Sequence, residues 1–196
     1  MKTTTLLAFA LLSISASGCA AETASEEPTG TTSDALSLSS YRVDLGYHGG
    51  TGGNPSRVIC RPGDVAVGIY GSYGSYINEL GLYCATLRAN GTLGPMYTTV
   101  SSGSPGPYPF KALCPSGAVL NGLSGRSATY LDAIQVECSW LPDPIHEDYT
   151  VAWEYGGHGG SWFGDDCPDG YAITTLYIRS GSWIDATRAT CTYLAP

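Results

Sequence analysis

The residues best suited to chemistry recur three times along the chain. Gly181-Ser182-Trp183-Ile184-Asp185 places a carboxylate four residues past a glycine and two past an aromatic ring. Ala128-Thr129-Tyr130-Leu131-Asp132 and Gly74-Ser75-Tyr76-Ile77-Asn78 repeat the pattern with one change each. A loop rich in Gly or Pro accompanies each copy: His48 to Gly53 with Gly49, Gly50, Gly52 and Gly53, then Ser102 to Pro107, then Gly156-Gly157-His158-Gly159-Gly160. Such a set suits a polyhydroxylated ring. A carboxylate accepts hydrogen bonds from neighbouring hydroxyls, and backbone N–H groups donate to the same oxygens. Glycine lets the main chain come close without a Cβ in the way, and an aromatic side chain covers the apolar face of the ring.

Other chemistries fit poorly. Glycoside hydrolysis needs two carboxylates flanking one bond, and each repeat offers one recurrent acid. No Ser nucleophile elbow and no His-Glu-x-x-His motif occurs, so the chain reads as a non-enzyme. Asp165, Asp166 and Asp169 lack the pattern of a calcium loop. His48, His146 and His158 have no partners at metal-ligand spacing, so neither metal nor cofactor is expected. A plainer reading of Asp132 and Asp185 remains open. Asp often caps a turn by accepting local N–H bonds, and a repeated turn would repeat its cap.

The elements that position these residues are marked by cysteine. Leaving Cys19 aside, six remain, at 60, 84, 114, 138, 167 and 191, each pair separated by 24 residues and the pairs starting 54 and 53 residues apart. This repetition favours disulfides Cys60–Cys84, Cys114–Cys138 and Cys167–Cys191 among the fifteen pairings that six cysteines allow. Zinc competes weakly, because no Cys-x-x-Cys is present. Apolar columns keep the same register: Ile69, Leu123 and Leu176 lie nine residues past the first Cys of each pair, and Ile77, Leu131 and Ile184 seventeen past it. Spacing near two, as in Val65, Val67 and Ile69, or Tyr171, Ile173 and Thr175, predicts antiparallel strands between Gly turns. One unit of three or four strands cannot bury a face alone, whereas three around an axis can. The expectation is an all-β domain over 41–196, with repeats at about 41–93, 94–147 and 148–196, built as a prism of three sheets or as a trefoil.

Composition supports this. Only 13% of residues are charged and 26 are Gly, which disfavours long amphipathic helices. The net charge is −8 and no basic stripe is present, which argues against nucleic acid. Lys2 followed by Leu6 to Leu12 reads as an export signal over residues 1–18, too short to span a bilayer. Small residues leading to Cys19 resemble a bacterial lipobox, with Ala16 where Leu is most common, so Cys19 is the expected lipidation site; ordinary cleavage near Cys19, giving a secreted protein, is the alternative. Ala20, rather than Asp, after it favours outer-membrane delivery in a Gram-negative cell. Residues 19–40 carry Glu22, Glu26, Glu27 and Asp34 with almost nothing large and apolar, and read as a flexible acidic tether. Export to an oxidising compartment makes disulfides chemically sensible.

The Gly-Gly-x-Gly-Gly loops and Arg179-Ser180-Gly181-Ser182-Trp183-Ile184-Asp185 together resemble the jacalin-type lectins, in particular their threefold griffithsin-like form. The Cys-Pro-x-Gly starts and the repeat length also resemble vitelline membrane outer layer protein. Both resemblances imply a β-prism of three Greek-key sheets with pseudo-threefold symmetry and one disulfide per repeat. The lectin resemblance implies carbohydrate binding, with the first Gly loop facing Gly181 to Asp185 and the third facing Ala128 to Asp132. The second, broken by Pro105 and Pro107, would face Gly74 to Asn78. The expected sugar-binding residues are therefore Gly49, Gly50, Gly181, Ser182, Trp183 and Asp185, with Gly156, Gly157, Tyr130 and Asp132 at a second position. The Asp185 position is the better of the two, because Ala128 replaces Gly and would clash if positive φ were required. The vitelline-layer resemblance implies the competing function, a disulfide-stapled structural block of the envelope. Membrane contact is expected through the lipid anchor alone, and homodimerisation stays open.

Overall fold

The computed structural model describes residues 35–141, 149–150 and 153–196. The export signal, Cys19 and most of the tether lie outside the described residues. Fifteen strands and no helix are formed among those described.

Three hairpins of long strands organise the prism. In sheet I, β4 (Asp64–Tyr73) and β5 (Ile77–Leu87) pair, β6 (Leu93–Thr98) adds to β5, and β8 (Tyr108–Leu113) returns beside β4, with the short β7 (Ser102–Gly103) also on β5. Sheet II repeats this with β9 (Ala118–Ser127), β10 (Leu131–Trp140), β11 (Tyr149–Thr150), β12 (Tyr155–Gly156) and β13 (Ser161–Asp166). In sheet III the hairpin is β14 (Tyr171–Ser180) and β15 (Ile184–Ala195). Its outer strands come from the other end of the chain: β1 (Ser37–Asp44) and β2 (His48–Gly49) on β15, and β3 (Asn54–Ile59) on β14. The fourth strand lying beside the first makes each sheet a Greek key. The trefoil alternative falls away.

Two expectations shift. The cysteine spacing gives the period but not the phase, so each sequence repeat straddles two sheets. The sheet also starts at Ser37, four residues before Tyr41, inside the stretch read as tether. Nor does alternation run through whole strands. The ladder between β4 and β5 slips between Ala66 and Gly68, and the same slip lies between Leu120 and Gly122 on β9 and between Ile173 and Thr175 on β14. This bulge re-aims the strand. Ile69 joins the main core, while Val65 and Val67 pack into a second cluster with Val119, Ala172 and Leu194.

The bulges also place the disulfides. The carbonyls of Val67, Asn121 and Thr174 accept N–H bonds from Cys114, Cys167 and Cys60 at 2.9, 2.8 and 3.0 Å. The bridges Cys60–Cys84, Cys114–Cys138 and Cys167–Cys191 span Cα–Cα distances of 5.6–5.7 Å. Each joins the residue just past an outer strand of one sheet to the inner hairpin of the next. Sheet III is tied to I, I to II and II to III, which closes a covalent ring. A loop of this size contributes about 3 kcal/mol. Inside the ring, Ile69, Ile77, Leu131, Leu176 and Ile184 are fully shielded from solvent, and burying each is worth about 1.5–3 kcal/mol.

Candidate functional site

The turns of the three hairpins meet on the pseudo-threefold axis. Each is closed by a backbone bond, from Gly74 to Tyr76, Ala128 to Tyr130 and Gly181 to Trp183, at 2.9–3.0 Å. Tyr76, Tyr130 and Trp183 pack on one another with ring centroids 4.9–5.6 Å apart. The aromatics therefore form one apical cluster rather than three separate platforms.

Around this cluster the Gly loops lie against the side chains four residues past each turn's first residue. A Cβ on Gly52 or Gly53 would run into the Asp185 carboxylate, on Gly159 or Gly160 into that of Asp132, and on Gly106 into Asn78. Gly53 and Gly160 both hold φ of +64°, a left-handed conformation that favours glycine. The other loop glycines serve the scaffold. Gly49 and Gly156 pair with Ala186 and Ala133 in the ladders, and the N–H groups of Gly50 and Gly157 donate to the carbonyls of Asp185 and Asp132 at 2.8 Å. Each loop also reaches the neighbouring turn, Gly50 against the Thr129 carbonyl and Gly157 against that of Ser75.

Two arginines outside the expected sugar-binding residues shape these loops. Arg179 donates from Nε to the Gly52 carbonyl at 2.7 Å and from Nη2 to that of Gly53 at 3.0 Å. Arg126 donates to the Gly160 carbonyl at 3.1 Å. Both lie twelve residues past the first cysteine of their pair, a column that was there to be read. The third member is Ser72, whose Oγ accepts the Gly106 N–H at 2.7 Å.

The three positions differ in what they leave open. Asn78 donates from Nδ2 to the Ser182 carbonyl at 3.4 Å, while its buried Oδ1 has no hydrogen-bond partner. Asp185 is buried under the first loop, with Gly181 and Ser182 exposed beside it. Asp132 is 4% exposed, and its Oδ2 has no hydrogen-bond partner. Burial pushes its carboxyl above the usual carboxylate range, against the opposing pull of the Ala128 N–H and Arg126. A cavity of about 710 Å³ opens at Asp132 between Gly157, His158 and Gly159 on one side and Ser75, Tyr76, Pro107 and Tyr108 on the other. A second, of about 360 Å³, joins Asp132 to Tyr130 and Tyr76. The prolines of the second loop thus supply a wall to the Asp132 cavity. Tyr108, 60% exposed, is a lining residue the motifs did not reveal.

Ala128 does not weaken this position. Gly181 and Gly74 have no positive φ, and a Cβ on Gly181 would meet nothing closer than Asp185 Oδ2 at 3.9 Å. Alanine fits the same turn without a clash. Among the described residues no group of His, Cys, Asp and Glu is arranged to hold a metal ion.

The fold is the β-prism of jacalin-like lectins. Solved structures of that kind superimpose on nearly their whole length. Artocarpin complexed with methyl-α-mannose matches with a TM-score of 0.59 and 19% identity over 79% of this chain and 99% of its own. A mannose-binding lectin from champedak matches at 0.57 and 19% over 81% and 100%, and Malaysian banana lectin at 0.56 and 17% over 80% and 99%. At such identities the likeness establishes the fold. No protein-family model and no curated protein matches the chain.

Proposed function

We propose that this chain is a carbohydrate-binding protein whose principal site is the cavity at Asp132. The observation that carries the reading is the unpartnered Oδ2 of a buried Asp132 lining an open cavity. A buried carboxylate oxygen without a partner costs free energy, and a sugar hydroxyl that reached it as the Gly159–Gly160 loop shifted would satisfy it. Ser75 Oγ and His158 add hydrogen-bonding groups to the cavity wall, while Tyr76 and Tyr108 offer ring faces to the apolar side of a pyranose. The Asp185 position, with Gly181, Ser182 and Trp183, is a second site. Asn78 makes the third position the weakest, because its amide keeps an acceptor but lacks the charge of a carboxylate.

The lectins that share the fold are described as binding mannose or mannose-containing sugars, so mannosides are the first ligands to try. A single carboxylate lines the Asp132 cavity, which supports binding without turnover. Display on the cell envelope through lipidated Cys19 belongs to the same proposal and is supported by Lys2, the apolar run and the small residues before Cys19. Two sites on one rigid prism would favour capture of branched or repeating glycans. A glycan array probed with the oxidised chain and its Asp132→Ala and Asp185→Ala variants tests this. Binding that falls chiefly with Asp132 supports the assignment. Absence of binding to any glycan, with all three disulfides intact, would leave the structural envelope block as the better reading.

A further inference from the structure

The three apical turns repeat closely, but the outer faces of the three sheets do not. Sheet III carries Arg42 on β1, Arg57 on β3 and Arg188 on β15, with Arg61 just past β3. These are four of the eight bases that follow Lys2 in an acidic chain. The positions in register with Arg57 on the other sheets are Lys111 and Gly164, and those in register with Arg188 are Gly81 and Gln135. Arg42 has Met96 as its counterpart in sheet I. The prism therefore folds without these arginines on two of its three faces, and the fold alone does not account for them on the third.

Their partners differ in an informative way. Arg188 sits 3.0 Å from Asp44 Oδ2, and its guanidinium lies over the rings of Tyr47 and Tyr177. Arg61 lies over the Tyr97 ring at 4.2 Å. Arg42 and Arg57 are exposed, and among the described residues no carboxylate comes within ion-pair distance of either. Both line one cleft of about 280 Å³, which adjoins another of about 490 Å³ through the shared residues Arg42, Ile59 and Thr175. Asp44 and Asp64 are the acids of this groove. The first is held by Arg188 and Thr190, the second by the Tyr97 hydroxyl at 2.8 Å.

We propose that the outer face of sheet III is a second binding surface, separate from the apex, for a polysaccharide segment bearing carboxylate groups. The guanidinium groups of Arg42 and Arg57 pair with carboxylates of the chain, each through a planar two-pronged contact that lysine cannot reproduce. The exposed Ile59 lies beneath the sugar rings, while the Tyr177 ring is covered by Arg188 and backs Arg57 at 5.8 Å. Arg42 and Arg57 belong to opposite edge strands of the order β1-β15-β14-β3; their backbones are roughly 14 Å apart across three strand spacings and offset along the strands, Arg42 lying level with Thr192 and Arg57 with Arg188. One small anion fills only part of the two adjoining clefts, whereas a chain with regularly spaced carboxylates can follow them. The groove shares no residue with the apical cavities, so the inference stands whether or not the apex binds mannosides.

Calorimetric titration of the oxidised full-length chain with an oligogalacturonate tests it. The comparison ligands are its carboxyl-reduced neutral analogue and sodium sulfate at equal ionic strength. The oligogalacturonate is expected to bind at low salt and to weaken as salt rises. The Arg42→Gln/Arg57→Gln double variant, both positions being exposed, should fold normally and lose about tenfold or more in affinity. Asp132→Asn should leave this affinity unchanged, which separates the groove from the apex. No binding at low salt, equal binding of the neutral analogue, full displacement by sulfate alone, or unchanged affinity in the double variant would each overturn the proposal.

Discussion

Arg179 reaches back from the end of β14 and donates its Nε–H to the carbonyl oxygen of Gly52 at 2.7 Å, holding the loop that covers Asp185. Arg126 does the same for Gly160 above Asp132. Arginine and carboxylate thus occur together in two sheets, and serine and asparagine together in the third, where Ser72 replaces the arginine and Asn78 the aspartate. The clamp positions a loop of glycines that has little conformational preference of its own.

Removing the clamp should therefore affect the loop more than the prism. Arg126→Ala is expected to cost about 1–2 kcal/mol of stability and to weaken glycan binding at the Asp132 cavity, while Arg179→Ala leaves that cavity's affinity near wild type. Urea unfolding and a binding titration on each variant check this. Equal loss of affinity in both would contradict a local role.

Asp132 should show a conflict between stability and binding. Burial raises its carboxyl in the folded state, so folding is favoured while the group is protonated, and that advantage is lost as pH rises through its folded-state value. Asp132→Asn is expected to be at least as stable as wild type at neutral pH, with the difference shrinking in acid, and to bind glycan poorly. Urea midpoints across a pH series provide the measurement. A variant markedly less stable at neutral pH would show that the carboxylate is held by partners other than solvent and ligand.

Glycine at two nearby positions should matter very differently. Gly160→Ala forces a Cβ toward the Asp132 carboxylate at φ +64° and is expected to cost about 1–3 kcal/mol together with glycan binding. Gly181→Ala recreates the turn that Ala128 already makes and should change stability by less than about 0.5 kcal/mol. Thermal unfolding of the two variants side by side distinguishes them.

The disulfide ring should respond to the loss of any one link. The Cys114→Ala/Cys138→Ala variant unties sheet I from sheet II and is expected to lose about 3 kcal/mol, a fall in Tm of roughly 6–12 °C for a domain of this size. A scan of the oxidised variant against wild type measures it, and a shift near zero would mean that the buried core alone fixes the two sheets.

Much of this was legible in the sequence because repetition makes weak signals add. Six cysteines and the columns at Ile77, Leu131 and Ile184 fixed the threefold symmetry and the pairing, and the Gly loops pointed to the apex. What escaped depends on contacts between distant residues. Gly68, inside the strand at φ +155°, marks the bulge beside Val67, but simple alternation puts Val65 and Ile69 on one face. The phase of the repeat was hidden because β1 to β3 complete a sheet whose hairpin is at the other end of the chain. The cavity at Asp132 depends on Pro107 and Tyr108, contributed by or beside the loop that Pro105 and Pro107 break. Ala128 was set against Asp132 on the assumption of a backbone strain that the turn does not contain.

The most direct measurement is calorimetric titration of the oxidised chain with methyl-α-mannoside, in parallel with Asp132→Ala and Asp185→Ala, each checked by near-UV circular dichroism for an intact fold. The expected result is saturable binding in wild type, loss of most of it in Asp132→Ala, and a smaller loss in Asp185→Ala. Binding of the same affinity and stoichiometry in all three proteins would place the sugar elsewhere on the prism and contradict the apical site.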